Sequence, residues 1–275
     1  MSGASELVWR QLDDLAARGH ELTLVAERLK AGRAGPAACR SRRLRRWPLP
    51  GYWARRAFAA RAARRLLDQA LVIGHGDLLH QDCLFLHNLV ERELRLLGRE
   101  AEIAGHPVAR FHRELLTRGH YRLLIANSAA MRDALIKDHG VDPARIRVAL
   151  PGHDPGRFNA TDRAALRAAA RRSLGLDGEF LLGFVTSGNF PLRGADLLPA
   201  ILEALPASAR DGLRLLAVGA KHNLRRLHET LARHGLAALL LSADKIPEVQ
   251  RYYHALDLLL HPARLETFGL VVLEA

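Results

Sequence analysis

The chain has 275 residues, 49% of them hydrophobic, and a formal charge of +12, enough apolar material for one large or two medium folded domains. No apolar window approaches the roughly 18 uninterrupted residues of a membrane-spanning helix, and the opening MSGASELVWRQLDD lacks the basic-then-apolar order of a signal peptide. Cys39 and Cys83 stand in unlike contexts with no CxxC or Cys/His spacing, which argues against a disulfide framework or a zinc site; a cytoplasmic protein with two free thiols is expected.

Along the chain, apolar runs alternate with helical periods, the mark of a parallel sheet wound with helices. Ser5 is placed to cap a helix running through Leu7, Leu12 and Leu15 to Gly19, and ELTLVA reads as a strand. Then comes a basic stretch without an acidic residue from Arg28 to Leu67. In it Arg42, Arg43, Arg45, Arg46, Arg55 and Arg56 mingle with Trp47, Tyr52, Trp53 and Phe58. Guanidiniums beside indole rings suit an anionic membrane surface; they suit nucleic acid equally, and an ordinary solvated face is the third reading. No helix-turn-helix or aromatic RNA-binding strand set accompanies them, so specific nucleic-acid recognition is not expected.

LVIG, CLFLHN, RLLIAN and IRVAL are the next predicted strands, with a helix between Ser128 and Gly140. From His153 to Gly178 the chain is polar, charged and Ala-rich with no strand in it, and the domain boundary is expected there: a first domain over 1–158, a linker over 159–178 and a second domain over 179–275. FLLGFVT, LRLLAVG, AALLLS and LDLLLHP follow as continuous apolar runs, the pattern of strands buried on both faces. Two Rossmann-like domains with a ligand site at the loops are the expected architecture.

The closing stretch HPARLETFGLVVLEA carries the chemistry. If LDLLLHP is a strand and a helix begins at Gly269, Glu266 lies in the loop between them and Glu274 about one and a half turns into the helix. The N–H groups of Phe268, Gly269 and Leu270 are then unpaired donors suited to phosphate. The two carboxylates can bind hydroxyls at opposite ends of a sugar nucleotide. Taken alone, the pair is better read as an ordinary helix-start acid and a solvated side chain.

That stretch resembles the E-x7-E signature of retaining GT-B glycosyltransferases, family 4 and group 1, with Glu266 and Glu274 as its glutamates. ANSAAMRDALIKDHGVDPARIRVALPGHDPGRF is similar to the family's passage from the last strands of the first domain to the linker, and FLLGFVTSGNFPLRGADLL to the first strand and phosphate loop of the donor domain. SGASELVWRQLDDLAARGHELTLVA looks like its glycine loop, first helix and second strand. Within the family, ALPASAR, HALDLLLHPA and the cationic segment look most like lipopolysaccharide core glucosyltransferases.

The resemblance implies a GT-B fold and transfer of a sugar from a nucleotide diphosphate donor, a UDP-sugar, to a glycan or lipid-linked acceptor. Glu266 would hold donor-sugar hydroxyls and Glu274 the ribose; Phe268, Gly269 and Leu270 would offer N–H groups to sugar and phosphate. Arg193, before Gly194, would pair the diphosphate, although Pro191 and Leu192 stand where a second basic residue is often found. Gly3 matches the loop approaching the donor phosphates, and Lys245 and Ile246 the place where backbone meets the base. His87 occupies a strand end where many members carry a histidine facing the donor sugar; His75 and His261 are weaker candidates. No metal or other cofactor is expected, since the leaving diphosphate is stabilised by positive charge and a phosphate oxygen can take the acceptor's proton on the same face.

Family members begin with a strand ahead of the glycine loop and continue past the second glutamate, so the resemblance also implies a chain lacking the first strand and the C-terminal part. An inactive GT-B-like fragment, or a protein that binds an anionic surface, a membrane at its cytoplasmic face or nucleic acid, is the alternative expectation.

Overall fold

A computed structural model describes residues 3–28, 36–37, 39–66, 69, 71–118, 120–186, 188–244 and 248–275. The chain divides into two compact units, Met1–Pro151 and Gly152–Ala275.

The first unit runs α1 (Gly3–Ala17), β1 (Leu22–Ala26), β2 (Cys39–Arg43), α2 (Gly51–Arg65), β3 (Ile73–Gly74), β4 (Cys83–Phe85), α3 (Val90–Leu96), α4 (Pro107–Arg118), β5 (Leu123–Ala126), α5 (Ala129–His139) and β6 (Ile146–Val148). Strands β3-β4-β5-β6 form one parallel sheet in that order, with Leu84 opposite Leu124 and Ile146 opposite Leu124 on its other side. β1 and β2 pair in parallel as a separate two-stranded ribbon. The core lies where α4 and α5 meet the four-stranded sheet: Leu84, Phe111, Leu115, Leu124 and Leu135 are wholly buried. Ser128 caps α5 as its residue type predicts, its Oγ accepting the Met131 N–H at 3.0 Å.

Two expectations shift here. α1 starts at Gly3 rather than after a Ser5 cap. The basic stretch also contains a strand that its sequence hides: β2 is CRSRR, four of its five residues exposed, and it is a strand only because β1 offers it a parallel edge.

The second unit runs α6 (Arg163–Ser173), β7 (Phe180–Val185), α7 (Leu198–Glu203), α8 (Ala207–Arg210), β8 (Leu213–Gly219), α9 (Lys221–Arg233), β9 (Leu240–Asp244), α10 (Gln250–Ala255), β10 (Leu258–Leu259) and α11 (Leu270–Glu274). Its parallel sheet has the order β10-β7-β8-β9. The pleat explains the continuous apolar runs. Leu182, Phe184, Leu215 and Ala217 join the leucines of α7 and α9 in one cluster, while Leu181, Val185, Leu216 and Val218 join Tyr253 and Leu256 in another. Both faces are covered, so both sets are apolar.

The stretch 159–178 is not an independent tether in this structure. α6 is bound into the second unit: Arg167 and Arg171 reach Asp257 at 2.5 and 3.3 Å, and Arg167 Nη1 also donates to the Leu256 carbonyl at 2.7 Å. Asp257 accepts the Leu181 N–H at 2.8 Å, joining α6, the loop after α10 and the head of β7. Burial pushes this carboxyl up, but the Leu181 N–H and the two guanidiniums outweigh that and hold its pKa below the ordinary carboxylate value.

Asp257→Ala is therefore expected to destabilise the second unit by about 1–2 kcal/mol, the range for charged hydrogen bonds reduced by solvent screening. Because the folded pKa is depressed, the contribution is present above the ordinary carboxylate pKa and is lost as pH falls through the folded value. Urea denaturation of both proteins should show a gap at pH 7 that narrows near pH 3; a gap that does not change would mean the carboxylate charge contributes nothing.

Candidate functional site

In the second unit two loops at the carboxyl ends of neighbouring parallel strands are laced together. The first follows β7 and runs through Gly188 to Asp196; the second follows β10 and runs from Leu260 to Gly269. Arg264 makes a bidentate pair with Asp196 at 2.7 and 2.6 Å and donates to the Pro191 carbonyl at 2.8 Å, and the Arg264 N–H reaches the Leu192 carbonyl at 3.0 Å. The Arg264 guanidinium holds the Asp196 carboxyl below its usual range. The loops approach so closely at Gly194 that a Cβ there would lie 2.0 Å from the Pro262 carbonyl oxygen, and its φ is +76°. Only glycine meets both conditions.

Inside this lacing Arg193 Nη1 lies 2.5 Å from Glu266 Oε2 and 2.6 Å from the Leu265 carbonyl it donates to. His261 Nε2 donates to the same Oε2 at 3.0 Å. Two residues singled out 73 positions apart are thus in contact, and His261, a weaker candidate in the sequence, is their neighbour. The ion pair with Arg193 and the hydrogen bond from His261 both converge on Oε2. Glu266 Oε1 has no hydrogen-bond partner among the described residues, so the carboxylate is oriented by one oxygen and leaves the other as an acceptor. Arg193, which the resemblance assigns to the diphosphate, also has a carboxylate partner here. Its charge is balanced by Glu266, while its Nε and Nη2 lie beside Gly188, 3.6 and 3.9 Å from where a Cβ would stand.

After Glu266 the chain turns at Gly269, with φ +89°, and enters α11. Among the described residues no acceptor takes the N–H of Phe268, Gly269 or Leu270. Glu274 stands at the far end of α11, where Tyr253 of α10 points its hydroxyl at Oε2, 3.4 Å away. Burial first, and then the Glu274 charge, raise the pKa of that tyrosine. Glu274 therefore has a structural neighbour that sequence spacing did not reveal. Among the described residues no group of three or more His, Cys, Asp or Glu side chains could hold a metal ion.

In the first unit His87 follows β4 and His75 follows β3, neighbouring parallel strands. Their rings are nearly parallel, 4° apart, and His75 Nδ1 lies 3.0 Å from His87 Nε2. Burial, and then the neighbouring His87, push the His75 pKa down to about 4, and burial lowers that of His87. Both rings line a cavity of about 190 Å³ whose remaining wall is mostly apolar, with Gln11 and Asn127 as its other polar side chains. The sequence singled out His87 by position; that His75 partners it is a consequence of adjacent strands ending at the same level. Gly3 is the first residue of α1 rather than part of a loop. Lys245 and Ile246 lie outside the described residues.

The basic segment divides into engaged and exposed residues. Arg46 pairs with Glu27 at 2.6 Å, Arg55 with Asp77 at 2.8 Å and Arg56 with Glu114 at 3.1 Å. Tyr52 donates to Glu114 at 2.5 Å and Phe58 is buried in the core. Arg42, Arg43 and Arg45 are exposed, as are Trp47 (53%) and Trp53 (54%). The acids that pair with Arg46, Arg55 and Arg56 come from outside the run, which is why a sequence window missed them.

Two wound parallel sheets, the second with an Arg–Glu clasp beside unpaired backbone donors, define an α/β protein of the GT-B class. The chain belongs to Glycosyltransferase Family 4, which it matches over residues 1–157, and residues 168–275 match Glycosyl transferases group 1. Its fold is similar to that of WaaG, a glycosyltransferase involved in lipopolysaccharide biosynthesis, with a TM-score of 0.84 and 22% identity over 100% of this chain and 75% of that one. Anabaena Alr3699/HepE in complex with UDP-glucose is similar at TM-score 0.66 and 19% identity, over 100% of this chain and 74% of that one. In sequence, the chain is 36% identical over 163 residues to the D-inositol 3-phosphate glycosyltransferase of Rhodococcus jostii, covering 55% of this chain and 34% of the relative. The matched stretch thus spans about a third of the length of such curated relatives.

The buried histidines make stability fall on the acid side. His75 and His112 both have pKa values lowered to about 4 from 6.5, chiefly by burial. The unfolded chain binds protons there that the folded one refuses, so stability is expected to decline as pH drops from about 6.5 to 4. Proton NMR of the imidazole ring should follow His75 titrating near pH 4, and His75→Asn should flatten the decline; a ring titrating near 6.5 would refute its burial as a neutral group.

Proposed function

We propose that the protein is a retaining glycosyltransferase that uses a nucleotide diphosphate sugar, a UDP-sugar, as donor. The observation that carries this reading is the orientation of Glu266: Arg193 and His261 hold one carboxylate oxygen and the other is available to sugar hydroxyls, next to the Phe268, Gly269 and Leu270 N–H groups that suit phosphate. Glu274, at the other end of α11, is assigned to the ribose. The UDP-glucose bound by the HepE structure supports the choice of base. Departure of the diphosphate is helped by the backbone donors and by Arg193, whose remaining guanidinium donors lie at Gly188. Retention follows if a phosphate oxygen takes the acceptor's proton on the face the diphosphate leaves. His87, neutral and hydrogen-bonded to His75, is assigned to the donor-sugar side of the reaction as a hydrogen-bonding group.

The acceptor is a glycan or glycolipid such as lipopolysaccharide core, a reading supported by the family resemblance. A second reading, a phosphorylated polyol, is favoured by the curated relatives, which act on D-inositol 3-phosphate by name. Turnover of UDP-sugars with truncated lipopolysaccharide core and with inositol phosphate, followed by release of UDP, decides between them; absence of both turnover and donor binding across a panel of sugar nucleotides would overturn the enzyme reading.

The two glutamates serve different ends of one ligand. Glu274→Gln is expected to weaken both UDP and UDP-sugar by about tenfold or more, and Glu266→Gln to weaken only the UDP-sugar, since each charged hydrogen bond contributes about 1.5–3 kcal/mol. Calorimetric titration of each variant with both ligands checks this, and equal losses everywhere would leave the pair structural.

The exposed set Arg42, Arg43, Arg45, Trp47 and Trp53 supports docking to an anionic membrane face on the cytoplasmic side. No helix among the described residues is long and apolar enough to cross a membrane. Flotation with vesicles containing phosphatidylglycerol should recover the protein, weakly at high salt, and Trp47→Ala with Trp53→Ala should release it; equal recovery with neutral vesicles would count against the charge argument.

A further inference from the structure

His75 stands between two glycines in the loop that joins β3 to β4, and that loop is tied down by α2, by α4 and by its own Gln81. A Cβ on Gly74 would run into the Gln81 side chain, whose Nε2 donates to the Leu78 carbonyl at 3.1 Å. Gly76, at φ +87°, hydrogen-bonds through its backbone to His112, a buried side chain of α4. Arg55 of α2 donates to Asp77 at 2.8 Å. Held in this frame, the His75 ring lies against Phe85, with centroids 5.3 Å apart, and meets His87 at its edge.

The contact between the two histidines is an in-plane hydrogen bond and not a ring stack. Planes 4° apart whose nitrogens are 3.0 Å from each other are separated by no more than that distance, so most of the 5.2 Å between ring centres is sideways displacement. It is nearly the largest separation that two imidazoles can have at this N···N distance. The contact therefore lies close to the line of the two centres, where the in-plane lone pair of one nitrogen faces the N–H of the other. Burial keeps both rings neutral at physiological pH, so each has one proton and a single proton lies between His75 Nδ1 and His87 Nε2. The tautomers are thus coupled: either both rings are protonated on Nδ1, with His75 the donor, or both on Nε2, with His87 the donor. The second arrangement gives His75 an Nε2–H for which no described residue supplies an acceptor. The first leaves a bare nitrogen there, and an unpaired donor is the costlier of the two.

We propose that His75 is a positioning residue: by donating its Nδ1–H to His87 Nε2 it holds the His87 ring in plane and fixes it as the Nδ1–H tautomer, so that His87 meets a sugar hydroxyl as a donor. This rests on the assignment of His87 to the donor-sugar side of the reaction. No proton is transferred and the pair stays neutral; the effect is one of orientation. A His87 ring without its partner is free to turn about χ2 and to carry its proton on either nitrogen. Two substitutions separate the donor from the ring. His75→Asn puts an amide N–H near the place of Nδ1, whereas His75→Phe keeps a ring against Phe85 and removes the donor.

The test uses the full chain with isotope-labelled histidine, its signals assigned by their loss in His75→Phe and His87→Phe. Long-range nitrogen–proton correlation NMR at neutral pH is expected to show His87 protonated on Nδ1, a mixture of both tautomers in His75→Phe, and Nδ1 protonation again in His75→Asn. Turnover of the sugar nucleotide is expected to fall by about tenfold in His75→Phe and to return to within about threefold in His75→Asn. The tautomer of the unaltered protein needs no variant, so the test stands even if a substitution unfolds the chain. His87 protonated on Nε2, a His87 tautomer unchanged in His75→Phe, or greater turnover in His75→Phe than in His75→Asn, as a merely structural ring would give, each overturns the proposal. Full turnover in His87→Phe overturns the assignment on which it rests, and the tautomer measurement tells that failure from the others.

Discussion

The chemistry of the second unit depends on how two loops are tied together at the ends of β7 and β10. Arg264 bridges Asp196 and the Pro191 carbonyl, and the closeness this enforces requires Gly194 beneath Pro262. Only with that approach can Arg193 reach Glu266 and the Leu265 carbonyl. A bidentate pair is directional as well as attractive, so the lacing sets an orientation and not merely a distance. The apolar strands beneath it are packed on both faces, which gives the loops a rigid base and leaves their polar groups at the sheet's end as the ones able to meet a ligand.

Electrostatic balance separates the two units. The first has a run of arginines that looks in sequence like an uninterrupted cationic surface, yet Arg46, Arg55 and Arg56 meet Glu27, Asp77 and Glu114 from three different elements. Arg42, Arg43 and Arg45 remain exposed, as do Arg40, Arg64, Arg65 and the two tryptophans. The same logic governs Arg193 in the second unit: it reads as an unshared positive charge, and the fold supplies a carboxylate to it. An arginine's partner is a property of the tertiary structure because carboxylates distant in sequence are brought close by strand order, and no local pattern encodes that order.

Much of the architecture was legible because parallel strands buried on both faces must be continuously apolar, and FLLGFVT and LRLLAVG contain little else. Ser128 and Gly140 at the ends of α5 were legible for an equally local reason: a helix terminus needs a side-chain acceptor or a left-handed residue, and few residue types supply either. β2 was not legible, since CRSRR has no strand pattern and exists as one through its pairing with β1. The 159–178 stretch read as a connector because it is polar; its arginines turned out to be its means of attachment, through Asp257.

By itself the sequence determined the wound parallel class, the position of Glu266 in a loop ahead of a short helix and the turn at Gly269, all of which follow from periodicity and backbone sterics within a dozen residues. The tertiary structure alone decided that Arg193 and His261 orient one oxygen of Glu266, that Tyr253 faces Glu274 and that His75 partners His87. These are juxtapositions of groups on separate strands and loops. They depend on strand order and register, which are set by the packing of the whole sheet and not by any segment of it.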